Sequence, residues 1–250
     1  MVKFGNIRNV FSNLKLPPSV VGYRASEQPW DRWALERGRL KGIHIHEREA
    51  VENIVSTLPG DQVVVEMGCG TGKILDSLLG MPNVARVVGI DVNETALNIA
   101  RKKLAKNPNY KKLMLIKGDV NNMPFTSGFA TCVVGIGIFS EVPDVDKTFS
   151  EVNRILSPGG TLIGEFDSKE TFAEHFLKRH GLLKTSCLTF RHHFTLFMSF
   201  FPKLFNYLGS KGYARLMFYR KKDVEDIVSR HFKLDFLKTV SYYHFFRATK

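Results

Sequence analysis

The stretch Val63–Gly72, VVVEMGCGTG, decides the fold. Its Val63-Val64-Val65 core reads as a strand buried on both faces, and Asp61 introduces it. Its second half places Gly68, Gly70 and Gly72 at alternate positions, after the strand and before a helical pattern. Glycine there permits positive φ and leaves no Cβ between the backbone and a bound ligand. Such a loop alone does not name its ligand, because nicotinamide and nucleotide enzymes use one too. The spacing narrows it. A dinucleotide fingerprint needs Gly at position 73, where this chain has Lys73. A P-loop needs Gly at 67 and Ser or Thr at 74, where it has Met67 and Ile74. Neither phosphate-binding reading survives.

Outward from this loop, strands and helices alternate. A helical pattern from Glu47 to Leu58 is closed by Pro59-Gly60 and precedes the strand Gln62–Met67. Lys73–Leu79 reads as a helix and Ala85–Ile90 as a strand ending at Asp91; Glu94–Ala105 is an amphipathic helix and Leu113–Lys117 a strand ending at Gly118-Asp119. Thr131–Ile138 is a fourth strand, Lys147–Leu156 a helix stopped by Ser157-Pro158-Gly159-Gly160, and Thr161–Phe166 a fifth strand. The tail adds a helix, Lys222–Arg230, and strand-like Lys233–Val240 and Tyr242–Ala248. Strands separated by helices of this length indicate βαβ units, a parallel sheet and right-handed crossovers. The expected fold is therefore a doubly wound α/β sheet. Its expected parts are an N-terminal arm (1–46), a core (47–167), an insertion (168–220) between the fifth strand and the last helix, and a C-terminal segment (221–250) completing the core.

The pattern left at the loop is acidic-x-Gly-x-Gly-x-Gly: Glu66-Met67-Gly68-Cys69-Gly70-Thr71-Gly72. With it the chain resembles the class I S-adenosylmethionine-dependent methyltransferases, and the resemblance continues in order along the chain. Asp91 ends the second strand 19 residues after Gly72, where the family has a carboxylate that accepts hydrogen bonds from both ribose hydroxyls. Asp119, in GDVNNMPF, matches the Asp that meets the adenine amino group. TCVVGIGIFSEVPD (Thr131–Asp144) and LSPGG (Leu156–Gly160) match the motifs of the fourth strand and of the approach to the fifth. The resemblance implies a Rossmann-like seven-stranded sheet and S-adenosyl-L-methionine as cofactor. It assigns cofactor contacts to Glu66, Gly68, Cys69, Gly70, Gly72, Asp91, Val92, Asp119, Val120, Gly135 and Ile136, gathered at the C-terminal edge of the sheet. GDVNNMPF, EVPD and RILSPGG further resemble the ubiquinone/menaquinone and sterol branch, which acts on small molecules and lipids and carries an acceptor-covering insertion after the fifth strand. The chain departs from its relatives in two places. Ala130-Thr131 stands where many have Phe-Asp, and Ser140-Glu141 where close relatives often have a His pair.

Charge is concentrated in the expected insertion. Of the formal net charge of +12, the 48 residues from His175 to Lys222 carry +10, with ten Lys or Arg, no Asp or Glu, and eight of the 20 Phe. A basic, Phe-rich stretch reads as a helical cover whose Phe line a lipophilic pocket, or as a surface for an anionic membrane. Nucleic acid fits less well, because RNA readers usually mix aromatics with Asn, Gln and Gly. The first 20 residues carry Phe4, Ile7, Val10, Phe11 and Leu14 at helical spacing between basic residues, which fits a lid helix, an interfacial anchor or a transit segment. No run reaches the roughly 18 apolar residues of a spanning helix. Three well-separated cysteines, Cys69, Cys132 and Cys187, suit a reducing compartment rather than a disulfide scaffold. The expected location is cytoplasmic, with peripheral membrane association left open.

Methyl transfer is an in-line displacement at a carbon bound to sulfonium, so alignment and desolvation carry most of it. A base is needed only for an acceptor that must lose a proton, and His192 and His193 in the insertion are the candidates. His44 and His46 alternate as in an extended segment but have no third ligand nearby, so no metal site is expected. Trp30 and Trp33 suit either closure over the ligand or core packing. The expected function is methyl transfer to a lipophilic small molecule or lipid. An RNA methyltransferase and a non-catalytic cofactor-binding assembly factor are the alternatives.

Overall fold

The computed structural model describes residues 45–142, 144–168, 219–240 and 243–250. The elements are α1 (Ile45–Ser56), β1 (Gln62–Met67), α2 (Lys73–Leu79), β2 (Val84–Asp91), α3 (Glu94–Leu104), β3 (Leu113–Lys117), β4 (Ala130–Gly135), α4 (Val145–Ile155), β5 (Leu156–Asp167), α5 (Lys221–Ser229), β6 (Lys233–Val240) and β7 (Tyr243–Thr249), with a short 3₁₀ turn at Tyr110–Lys112. The strands form one seven-stranded sheet in the order β3-β2-β1-β4-β5-β7-β6.

The first five strands run parallel, as their helical crossovers require. β6 and β7 lie outside the βαβ series. They are joined by two residues, too few for a crossover, so they form a hairpin, and β7 pairs antiparallel with β5. Two apolar layers sandwich the sheet. On one face Val51 and Val55 of α1, Leu75, Leu78 and Leu79 of α2, and Leu97, Ala100 and Leu104 of α3 pack on Val64, Val87, Val134 and Ile163. On the other, Phe149, Val152 and Ile155 of α4 and Val224 and Val228 of α5 pack on Val65, Val88, Val133, Leu162 and Phe246. β1 feeds both layers, which is why its sequence is continuously apolar rather than alternating.

Capping sets where the crossover helices begin. The Asn93 side chain accepts the Ala96 N–H at 2.6 Å to open α3, and Asp144 accepts the Lys147 N–H at 3.0 Å to open α4. Several boundaries differ from the sequence reading. Helix α1 begins at Ile45, so His46 lies on a helix and not on an extended segment; His44 lies outside the described residues. β4 ends at Gly135, three residues short of the expected Ile138. β5 begins at Leu156 rather than Thr161, because Leu156 already pairs with Ala130. The ladder then jumps to Cys132↔Thr161, so Ser157-Pro158-Gly159-Gly160 forms a bulge within the strand, with Gly159 at φ 74°.

The substitution at Ala130-Thr131 is accommodated. The Thr131 hydroxyl accepts the Val63 N–H at 2.9 Å and donates to Gln62 Oε1 at 2.8 Å, tying the start of β4 to the start of β1.

Candidate functional site

The chain order reverses at β1. It moves outward through β2 and β3, then returns to β4 on the other side of β1. Open α/β sheets bind ligands at such a switch point, beyond the carboxyl ends of the strands. The glycine loop stands there. Gly68, Gly70 and Gly72 all adopt positive φ, at 64°, 51° and 73°. A Cβ on Gly72 would come within 2.9 Å of Leu104 Cδ1 and 3.2 Å of Ala100 Cβ, so this glycine lets α3 close against the loop. A Cβ on Gly68 would lie 2.9 Å from Ile138 Cδ1, which brings the loop after β4 against the loop after β1.

Asp91 joins the two strand ends and is not a solvated carboxylate. Its Oδ2 accepts the Gly70 N–H at 2.8 Å, its Oδ1 accepts the Asn93 N–H at 2.8 Å, and its carbonyl accepts the Gly118 N–H at 3.0 Å. Burial pushes its carboxyl above the usual range, while these backbone donors pull the other way. Each oxygen is used once, and a carboxylate offers about four lone-pair sites, so capacity for a diol remains. Val92, next in the chain, is 47% exposed, an apolar surface beside that carboxylate. Asp119 is exposed and folds the β3 exit into a turn by accepting from the Asn121 N–H at 2.8 Å and Asn121 Nδ2 at 3.1 Å. Val120, at 6% exposure, packs into the core, so any contact it makes there falls to its backbone.

Glu66 is the most unusual group. It is 4% exposed, and its Oε2 has no hydrogen-bond partner. Burial, with the Asp91 charge adding to it, raises its carboxyl from 4.5 to about 8. The same burial, reinforced by Glu66 and Asp91, pushes the Cys69 thiol well up, so it is no nucleophile.

Gly135 and Ile136 end β4 across the switch point. A Cβ on Gly135 would lie 2.7 Å from the Phe139 ring and 3.0 Å from Met67 Cε; this glycine admits Phe139 to the core. Ser140, at the position where relatives often carry His, is buried and accepts the Asp167 N–H at 2.8 Å on its Oγ. It therefore fixes the end of β5. Ser168 bridges Tyr219, whose N–H donates to the Asp167 carbonyl at 2.9 Å. His192, His193, Trp30 and Trp33 lie outside the described residues. Among the described residues no group of three His, Cys, Asp or Glu could hold a metal ion.

Two contributors are absent from the sequence reading. Lys103 donates from Nζ to the Gly72 carbonyl at 3.2 Å, a long-range contact that no spacing announces. Thr148 of α4 donates to Asn121 Oδ1 at 2.7 Å and so braces the β3 exit. The cap Asn93, by contrast, could be read from DVNETALN, an Asn directly before a helical pattern.

The residues fit S-adenosylmethionine. The strained glycine turn has no side chains at its positive-φ positions, Asp91 keeps acceptor capacity, and a buried carboxyl oxygen stands unpaired at a site that would receive a cationic ligand.

Comparison with known proteins agrees. Residues 65–164 match the family model described as a methyltransferase domain. A demethylmenaquinone methyltransferase of Symbiobacterium thermophilum is 33% identical over 161 residues, 63% of this chain and 57% of that protein. A sterol 24-C-methyltransferase of Gibberella zeae is 30% identical over 129 residues, 52% of this chain and 33% of that protein. The chain spans about half the length of the first demethylmenaquinone relatives it matches. Among solved structures, a SAM-dependent methyltransferase from Aquifex aeolicus superposes with a TM-score of 0.61 at 18% identity, covering 88% of this chain and 97% of that one. At that identity the likeness is one of fold.

Proposed function

We propose that this chain, whose core is a class I S-adenosylmethionine-dependent methyltransferase domain, methylates a lipophilic acceptor of the prenylated-quinol or sterol kind. The observation that carries the reading is the pairing of the Gly70–Asp91 clamp with relatives named for demethylmenaquinone and sterol methylation. Bound S-adenosylmethionine supplies an electrophilic methyl group on a sulfonium sulfur.

The protein's own part is to bind, orient and exclude water. Asp91 holds the ribose hydroxyls on a carboxylate already fixed by two backbone N–H groups. Val92 gives the adenine an apolar face and Asp119 an acceptor, while Gly68 and Gly70 let the methionine end lie against backbone. Ser140 and the buried ring of Phe139 make a rigid floor at the acceptor side. The acid-free stretch from His175 to Lys222 meets the acceptor or the membrane that presents it, and His192 or His193 takes a proton where the acceptor must lose one. Ser168 and Tyr219, which flank residues 169–218, bridge one another at the carboxyl end of β5, on the same sheet edge as the crevice. No described helix is long and apolar enough to cross a membrane.

Two outcomes check this reading. Asp91→Ala is expected to weaken S-adenosylmethionine binding by about 1–3 kcal/mol by calorimetry, the scale of lost charge-assisted hydrogen bonds. Unchanged affinity would remove Asp91 from the ribose. Co-sedimentation with anionic vesicles should be strong at low salt and fade as salt rises, each Lys or Arg near the surface adding about 1 kcal/mol. A Lys203/Lys211/Arg215→Glu variant should lose it. Salt-sensitive binding to RNA with none to vesicles would favour the RNA methyltransferase, and ligand binding without transfer to any acceptor the assembly factor.

A further inference from the structure

We propose that the carboxyl pair Glu66–Asp91 holds a proton in the free protein and expels it when S-adenosylmethionine binds, so that cofactor affinity is set by pH. The inference rests on the cofactor reading above and deepens it.

The geometry begins with register. Glu66 of β1 lies directly opposite Gly89 of β2. Side chains two apart on a strand share a face, so Asp91 is the diagonal neighbour of Glu66 on that face. Gly89 itself carries no side chain there, and Cys69 Sγ and Leu75 Cδ1 fill the space over it, each 2.8 Å from where a Cβ would stand. The two carboxyl groups thus lie on the same face of neighbouring strands.

They are not equivalent. Both Asp91 oxygens accept backbone N–H groups, which favours its ionised form. The Leu75 backbone of α2 favours the ionised form of Glu66 less than burial opposes it, and its Oε2 has no hydrogen-bond partner while buried from water. An ionised oxygen in that position would lose its hydration without replacement. The proton therefore sits on Glu66.

The other titratable groups facing Glu66 are few. Cys69 on the loop is a neutral thiol. Among the described residues Lys103 of α3 is the one cation acting on Glu66; it favours the ionised form but is weaker than burial and the Asp91 charge, and it is exposed and engaged with the Gly72 carbonyl. With Glu66 protonated, Asp91 and Lys103 balance. At neutral pH the cofactor carries a sulfonium, an ammonium and one carboxylate, a net positive charge. When that charge fills the crevice, the ionised form of Glu66 gains the counter-charge it lacked, and its Oε2 proton passes to buffer. Each binding event then adds one negative charge to the protein and one positive ligand, so the occupied site is again balanced.

The test is calorimetric titration of S-adenosylmethionine at pH 7, in phosphate and in imidazole, whose ionisation heats differ widely, with wild type and Glu66→Gln. The ligand's own titration is common to both proteins, so the difference between them reports the protein's proton. The expected result is close to one proton released by wild type in excess of the variant. Wild-type affinity should also fall roughly tenfold per pH unit below about pH 8, against a shallower slope for the variant. Equal proton release by the two, with equal slopes, overturns the inference and leaves the cofactor reading standing. Should the variant not fold, the wild-type slope between pH 6 and 7, where the ligand ammonium stays protonated, decides alone: tenfold supports the proposal, a flat line overturns it. Wild type that binds no S-adenosylmethionine at any pH would overturn the cofactor reading itself.

Discussion

Glu66→Gln is expected to become progressively more stable than the wild type as pH rises from about 4.5 to about 8. The sign follows from proton counts. In the unfolded chain Glu66 ionises near 4.5, and in the folded protein only near 8. Between those values the folded state binds more protons, so wild-type stability falls with rising pH, and above 8 the full cost is present. Gln carries no ionisation and escapes that slope. At 1.36 kcal/mol per unit the span amounts to on the order of 4–5 kcal/mol, or roughly 10 °C in Tm for a chain of this size. The comparison is of slopes, because an amide has two donors where a protonated carboxyl has one, and that offset is the same at every pH. Thermal unfolding of both proteins at several values from pH 5 to pH 9 checks it. Parallel curves would mean that Glu66 is ionised in the folded protein, with a partner for Oε2.

The cofactor half of this site was legible because its chemistry is local. Three glycines at alternate positions need only a strand before and a helix after to define a turn, and strand-end Asp91 and Asp119 follow from the βαβ period. What could not be read is what depends on contacts between distant segments. That Asp91 clamps the Gly70 N–H, that Lys103 reaches Gly72, and that Ser140 holds Asp167 are contacts across 21, 31 and 27 residues. The antiparallel seat of β7 was hidden for a related reason: the pattern of Tyr243–Thr249 marks a strand but not its neighbour or direction. Ser157-Pro158-Gly159-Gly160 carries the residues of a helix stop, yet here they form a bulge inside the fifth strand.

The second large effect is expected at Phe139, in the loop after β4. Its ring is fully buried and lies 4.8 Å from Phe149, 5.3 Å from Phe166 and 6.0 Å from Phe246, centroid to centroid. The cluster exists because two adjacent strands carry glycine beneath it. A Cβ on Gly164 would lie 2.6 Å from both Phe139 and Phe246, and one on Gly135 2.7 Å from Phe139. Phe139→Ala leaves a cavity walled by rings that cannot collapse into it, and should cost about 3–5 kcal/mol in urea unfolding. Gly164→Ala overfills the same space and should cost about 1–3 kcal/mol. Combined, the two substitutions are expected to cost less than their sum, since the added methyl occupies part of the void that removal of the ring creates. Additive costs would show that the Gly164 site and the Phe139 ring are independent. Phe139 also has a functional reach: its neighbour Ile138 lies against Gly68, so loosening the ring frees the loop that frames the cofactor crevice. Under conditions where Phe139→Ala is still folded, S-adenosylmethionine affinity should therefore fall, whereas Val228→Ala, on the buried face of α5, should leave it unchanged.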